Sequence, residues 1–417
     1  MLVSVIGLGV EGQKAVKSLM EHNYDIYASD FNKNINLELI SNLPKTKNKL
    51  EIETGSHNLD KILDSNMVAV SPSLFNKSIS KQVIENGNFI SNILTKHKTI
   101  PTIAVTGTNG KTTTSRMIHY ILKENGYNVL IGGNGGGGFE GYYDLLLKAN
   151  EDKNYDYLIV EVCDMTLDFC KYVFDIDICV VTNIGYDHMD IHRSIKEYTN
   201  EVANFIENKT AILNSEDENT KNLEDTPSEL LLFKKYKHHL NLFGSFNESN
   251  AAAASTVCKY LNIPEKNIIK SLSTFRPVKG RIRRFSIKRS NIVIGKTDNR
   301  DAIEAVLSEE YFETALIGTA RKNETYRYQI LDSVKKHDPE TVVLFPGLDD
   351  ITQEYKDYLD NLGYANDLFI IKDKEYLINF IKNHITQNKN IFIGGNGQEK
   401  ITEINQILID QYKEDIK

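Results

Sequence analysis

The chain has 417 residues, 41% of them hydrophobic and 25% charged, with a formal net charge of −8. That length suggests two to four domains at roughly 100–200 residues each, and the composition is that of ordinary globular material. The acidic balance argues against a nucleic-acid surface, which needs a basic footprint, and no apolar run approaches the ~18 residues of a membrane span. The first strand begins at Leu2, which leaves no room for a signal peptide. Cys163, Cys170, Cys179 and Cys258 show no C-x-x-C spacing. They read as reduced core residues, and the expected location is cytoplasmic.

Leu2 to Asp30 reads as strand, turn, helix, strand. Gly7, Gly9 and Gly12 form G-x-G-x-x-G directly after the first strand and at the helix start, and Asp30 closes the second strand. This is the dinucleotide-binding fingerprint in its required context. It points to a nucleotide diphosphate without saying which, and an NAD site is one reading of it. Short strands near Leu50–Glu53 and Met67–Ser71, with a helix over about Ser78–Glu85, complete a small parallel sheet.

Ile103 to Thr114, IAVTGTNGKTTT, is the stretch with the most chemistry. A buried strand runs into Gly107, Thr108, Asn109 and Gly110, and Lys111, Thr112, Thr113 and Thr114 open a helical pattern. Strand, glycine turn and helix N-terminus present backbone N–H groups to a phosphate. Lys111 is then a point charge for the terminal phosphates, and Thr112 is placed to hold magnesium. Val105 stands where the first glycine of the full phosphate-loop motif would be, so the motif is the shorter T-G-T-N-G-K-T.

The glycines Gly132, Gly133 and Gly135 to Gly138 around Asn134 read as a loop lying close to a ligand rather than a linker, because they follow a strand inside a domain. The strand Leu158–Val160 ends at Glu161, a carboxylate facing the ligand crevice of an open α/β sheet. Ile178–Thr182 runs into Asn183, Asp187, His188, Asp190 and His192, which crowd one strand end. Thr210 to Asn219 is a further strand ending in polar residues. Asn247 and Asn250 fall at a helix start, where Asn250 has the alternative role of an N-cap. From about Arg283, apolar runs at Ile292–Ile294, Thr314–Ile317, Thr341–Phe345, Leu368–Ile371 and Ile391–Ile393 alternate with helices, which predicts another doubly wound domain. Arg321 and Lys322 either meet a substrate carboxylate or belong to a solvated loop.

Taken in order, these residues resemble the Mur ligase family of ATP-dependent amide-bond ligases of cell-wall synthesis. The resemblance rests on the amino-terminal GLGxxG unit, TGTNGKTTT, the strand ending at Glu161, TNIGYDHMDIH, AILNSEDEN, NESNAAAA, VKGR from Val278 to Arg281, and IFIGGNGQE. It implies three α/β domains, each a doubly wound, mostly parallel sheet, over residues 1–98, 99–279 and 280–417. The first and third are expected to be Rossmann-like, and the central one carries the phosphate loop. It also implies roles. Lys111, with Gly107, Thr108, Asn109, Gly110, Thr112 and Thr113, binds the ATP phosphates; Asn247 and Asn250 border the adenine; Asn214 and Asp217 lie near the nucleotide; and Arg281 approaches ATP on closure. Thr112 and Glu161 share one magnesium, and His188 helps hold a second. Lys111, Glu161 and His188 are the catalytic set. Gly7, Leu8, Gly9, Gly12, Asp30 and Ser71 hold the uridine diphosphate of the acceptor. The partners implied are a UDP-activated acceptor and an amino acid, acted on by a monomer.

Three departures stand out. Val202 occupies the position where relatives carry a carbamylated lysine, and Glu201 beside it is the candidate replacement ligand for the second magnesium. Arg281 is followed by Ile282, Arg283 and Arg284 instead of the usual acidic residue. GKTDNRDAI, with Asp298, Asn299 and Arg300, replaces the third-domain signature. These departures point to a divergent branch, the archaeal pseudomurein peptide ligases. The rival readings are a folylpolyglutamate- or cyanophycin-type ligase with no UDP substrate, and a nucleotide-binding subunit that has lost ligation.

Overall fold

The computed structural model describes residues 1–44, 47–187 and 192–414. Three α/β sheets follow one another along the chain. The first holds β1 (Leu2–Ile6), β2 (Asp25–Asp30), β3 (Leu50–Thr54) and β4 (Met67–Val70), all parallel, in the order β3-β2-β1-β4. β1 and β4 are nearly continuous buried runs, as expected of parallel strands covered on both faces. Helix α1 (Val10–Glu21) starts at Gly9, directly after the glycine turn.

The second sheet holds β5 (Thr102–Thr106), β6 (Val129–Gly133), β7 (Tyr157–Glu161), β8 (Ile178–Val181), β9 (Thr210–Asn214) and β10 (Glu229–Phe233). Its order is β10-β9-β8-β5-β7-β6, all parallel. From β5 the chain crosses through α2 (Lys111–Glu124) towards β6, whereas from β8 it leaves in the opposite direction for β9. Connections diverging from two adjacent strands open a crevice at their carboxyl ends.

The third sheet holds β11 (Arg283–Ile287), β12 (Ser290–Ile294), β13 (Thr314–Gly318), β14 (Thr341–Phe345), β15 (Asp367–Ile370) and β16 (Ile391–Gly395), in the order β11-β12-β16-β13-β14-β15. Its strands alternate between two cores. Ala315, Ile317, Val342, Leu344 and Phe392 face one, and Leu316, Val343, Phe345, Ile391 and Ile393 face the other. This is the period-2 pattern of a sheet with helices on both sides. Only β11 runs antiparallel, paired with β12 as a hairpin.

The chain divides into two compact units. The first comprises Met1–Ile184, Lys196–Lys234 and Asn250–Ser271, and so carries the first two sheets. The second comprises Gly185–Ile195, Lys235–Ser249 and Leu272–Lys417 and carries the third. Within the first unit, α1 lies along α3 (Tyr142–Ala149), which follows the glycine-rich loop. Tyr143 on α3 ties the two sheets together. Its hydroxyl donates to the Val70 carbonyl at 2.6 Å and accepts from the Val70 N–H at 2.8 Å. All four cysteines are free and buried in this unit. No described helix is long and apolar enough to cross a membrane.

Candidate functional site

The crevice between β5 and β8 is built from the phosphate loop outward. Gly107 has φ +121° and Gly110 φ +86°. A Cβ on Gly107 would lie 2.3 Å from Thr182 Oγ1, and one on Gly110 would lie 2.1 Å from Asn250 Oδ1. Both positions therefore require glycine for shape and for backbone conformation. The end of β8 pins the loop. Thr108 N–H donates to the Asn183 carbonyl at 2.9 Å, and Asn109 N–H donates to Asn183 Oδ1 at 2.9 Å. Asn183 Nδ2 and Thr182 Oγ1 donate in turn to the Asn109 carbonyl at 2.9 and 2.6 Å. Lys111 Nζ donates to the carbonyls of Gly107 at 2.6 Å and Thr108 at 2.8 Å, which keeps its charge within the loop. Lys111, Thr112 and Thr113 form the first turn of α2, whose N-terminus is an anion-binding end.

Glu161 ends β7, next to β5, with Val105 as its register partner. Its side chain is fully buried. One carboxylate oxygen accepts from Asn134 Nδ2 at 3.1 Å, and the other, Oε2, has no hydrogen-bond partner. An orphaned carboxylate oxygen in a protein interior is costly. A carboxylate oxygen is the hard ligand type that a divalent cation such as magnesium takes. The glycine-rich loop wraps this carboxylate. Asn134 N–H donates to the Glu161 carbonyl at 2.9 Å, and a Cβ on Gly133 would lie 2.3 Å from that same oxygen. A Cβ on Gly137 would lie 1.9 Å from Glu161 Oε1. The loop is thus a close-approach segment and not a linker. Gly137→Ala is expected to displace Glu161 or the loop and to cost about 1–3 kcal/mol of stability, as overpacking does. Urea unfolding of the variant checks this.

Asn250 lies inside helix α4 (Phe246–Tyr260) and is not its N-cap. The Asn250 side chain is buried against Gly110, and its Oδ1 accepts from Thr114 Oγ1 at 3.4 Å. Asn214 Nδ2 donates to the Thr182 carbonyl at 3.3 Å, and Asp217 Oδ2 accepts from Ile184 N–H at 3.0 Å, so both brace the β8 end. On the helix Ile195–Ile206, Val202 is buried and Glu201 is exposed: one residue is about 100° of rotation, and the core takes the valine. His188 and Asp190 lie outside the described residues. Among the described residues no group of three His, Cys, Asp or Glu side chains gathers as a metal site.

In the first sheet, Gly7 has φ +84°, and a Cβ on Gly12 would lie 1.7 Å from the Gly7 carbonyl oxygen. Helix α1 packs against the turn at that distance only because Gly12 is bare. Asp30 closes the turn: Oδ2 accepts from Leu8 N–H at 2.6 Å and Oδ1 from Asn32 N–H at 2.8 Å. Gln13, which the motif does not flag, donates to the Leu8 carbonyl at 2.8 Å. Gly9 is open, with nothing within 4 Å of a Cβ placed there. Ser71, at the end of β4, donates its N–H to the Ile6 carbonyl at 2.7 Å and is buried beside Gly7.

The second unit holds a separate charged cluster. Asp298 accepts ion pairs from Lys296 and Arg327, each at 2.8 Å, and Arg327 also pairs with Glu324 at 3.1 Å and Asp187 at 3.9 Å. Asn299 Nδ2 donates to Asp187 Oδ2 at 3.3 Å, and Asn299 Oδ1 caps the helix beginning at Arg300. Burial opposes ionisation of Asp298, but the attraction of Lys296 and then of Arg327 overcomes it and holds this carboxyl far below the ordinary range. His192 is buried in the same unit. Asn247 donates to the Phe243 carbonyl at 2.7 Å, and Arg281 N–H donates to the Val278 carbonyl at 3.0 Å. Arg321, exposed, pairs with Glu324 at 3.1 Å.

Residues 105–233 match the Mur ligase middle domain. The UDP-N-acetylmuramoylalanine–D-glutamate ligase of Clostridium tetani is 30% identical over 277 residues, 64% of this chain; the match spans 58% of that enzyme's length. The corresponding ligase of Christiangramia forsetii is 27% identical over 368 residues, covering 78% of this chain and 80% of that one. Among solved structures, a pseudomurein peptide ligase type C from Methanothermus fervidus superposes with a TM-score of 0.59 at 20% identity, over 98% of this chain and 99% of that one. At that identity the likeness is one of fold, and it extends over nearly the whole of both chains.

Proposed function

We propose that this chain, which belongs to the Mur ligase family, is an ATP-dependent carboxylate–amine ligase of the ADP-forming kind. Its reaction joins an amino acid to the carboxylate of a UDP-linked cell-wall precursor. The observation that carries this reading is the unpartnered, fully buried Glu161 oxygen beside a phosphate loop that ends in Lys111. A site that presents a cationic loop and one spare carboxylate oxygen suits a metal–nucleotide complex. Two features favour the pseudomurein branch: Val202, buried where the family's lysine stands, and the replaced third-domain signature around Asp298.

In the proposed reaction the acceptor carboxylate attacks the γ-phosphorus of ATP, giving an acyl phosphate and ADP. The amine then attacks the acyl carbon and phosphate leaves, forming the amide. The first step brings two anions together, so the protein's task is charge neutralisation and positioning, with no covalent intermediate on a side chain. Lys111 supplies a positive charge at the loop, and the backbone N–H groups of Gly107–Thr112 orient the phosphates. Thr112 and Glu161 would hold a magnesium ion, which when bound offsets phosphate charge. The glycine turn at Gly7–Gly12 would hold the acceptor's diphosphate at the start of α1.

The test is a phosphate-release screen of UDP-activated murein and pseudomurein precursors against single amino acids, with and without magnesium. The expected result is magnesium-dependent release from one acceptor–amino acid pair, matched by amide formation. Release that needs no UDP-linked acceptor would move the assignment to a folylpolyglutamate- or cyanophycin-type ligase. ATP binding without turnover on any pair would mark a subunit that has lost ligation.

A further inference from the structure

The two glycine segments of the first unit are joined by a single stretch of helix. Helix α1 begins at Gly9, at the turn of the first sheet, and two of its side chains reach into the glycine-rich loop of the second. Glu11 Oε1 accepts from Gly135 N–H at 2.5 Å, and Oε2 accepts from Tyr142 N–H at 3.4 Å. Lys14 Nζ donates to the Gly135 carbonyl at 3.2 Å and to the Phe139 carbonyl. The fit is tight. A Cβ on Gly135 would lie 2.8 Å from Lys14 Cδ and 2.9 Å from Glu11 Oε1, and one on Gly141 would lie 3.0 Å from Glu11 Oε2.

Residues 135–138 are four consecutive glycines, which have no side chains with which to fix their own conformation. Glu11 and Lys14 hold the loop from its outer side. On its inner side the same loop holds Glu161, through Asn134 Nδ2 and the bare Cα of Gly137. Both side chains are half-buried, and each spends its polar atoms on backbone groups of the loop. Burial pushes the Glu11 carboxyl up to about 7, and the Gly135 and Tyr142 N–H groups and Lys14 only partly offset it.

We propose that Glu11 and Lys14 are positioning residues: acting through the 134–141 loop, they set the Glu161 carboxylate for the metal–nucleotide complex and link it to the glycine turn of the first sheet. This rests on the ligase reading above. Removing either side chain is expected to impair the metal-dependent part of nucleotide binding and to leave the metal-free part intact. Outer-shell contacts of this kind are worth about tenfold or more in metal affinity.

The experiment is calorimetric titration of the full chain with ADP, with and without magnesium, for wild type, Glu11→Ala, Glu11→Gln and Lys14→Met. In wild type, magnesium should tighten ADP binding. In Glu11→Ala and Lys14→Met that gain should shrink about tenfold, with metal-free affinity unchanged. Glu11→Gln retains an oxygen acceptor for Gly135 N–H and should recover most of the gain, which also covers the case in which Glu11→Ala fails to fold. The same magnesium gain in all four proteins overturns the positioning role and leaves the ligase reading standing. Equal loss of metal-free ADP binding in the variants also overturns it, since that is general damage to the loop. Wild type that binds no ADP under either condition overturns the ligase reading itself.

Discussion

Lys111→Ala is expected to abolish ATP-dependent phosphate release while the protein remains folded. Lys111 is the cation of the phosphate loop, held against the Gly107 and Thr108 carbonyls at the first position of α2. Losing a charge that faces developing negative charge costs about 3 kcal/mol or more of barrier, a hundredfold or greater. The fold should survive, because alanine is the best helix former at that position and Lys111 is not in the core. Lys111→Arg is not expected to restore the rate, since a planar fork does not replace a compact ammonium in a closed loop. A coupled phosphate assay with parallel circular dichroism checks both halves, and wild-type turnover in Lys111→Ala would sink the site assignment.

The largest stability effect is expected at Arg327→Met. The guanidinium is buried and serves Asp298, Glu324 and Asp187 together. Removing one partner of a buried ion cluster leaves uncompensated charge and costs about 3–5 kcal/mol. Asp298 gives the sign with pH. Its carboxyl is depressed in the folded protein, so its stabilising contribution is complete above the unfolded value of about 3.9. That contribution is lost as pH falls below this value towards the folded one. In Arg327→Met the acid-side loss should be smaller, because Asp298 retains only Lys296. Urea unfolding at neutral and acid pH measures both, and a variant as stable as wild type at pH 7 would refute the role given to this cluster.

The chemistry that sits on local motifs was legible in the sequence; the contacts that join distant segments were not. TGTNGKT, the glycine-rich run and the strand ending at Glu161 each announce themselves within a dozen residues, and the structure gathers them at neighbouring strand ends of one sheet. Strands β10 and β11 are harder to see. ELLLF and RRFSI are five residues long, lie at sheet edges and carry charged ends. By position alone Asn250 has the N-cap as an alternative role, but its packing on Gly110 is set by a contact 140 residues away in sequence. Glu11 and Lys14 look like the solvated face of an amphipathic helix. No periodicity reveals that this face meets a loop more than 120 residues on. Asp187 shows the same limit, because its partners Asn299 and Arg327 lie 112 or more residues on.

The placement of the thiols has a consequence for how the molecule wears. Burial raises Cys179 to about 12 and raises Cys163, Cys170 and Cys258 as well. The reactive species is the thiolate, so in the closed protein none of the four is a target for oxidants or alkylating reagents. Damage must wait for an opening fluctuation, and all four sulfurs lie in the unit that carries the first two sheets. The rate at which a thiol reagent consumes them therefore reads the opening of that unit alone, and the unit built on the third sheet contributes no signal.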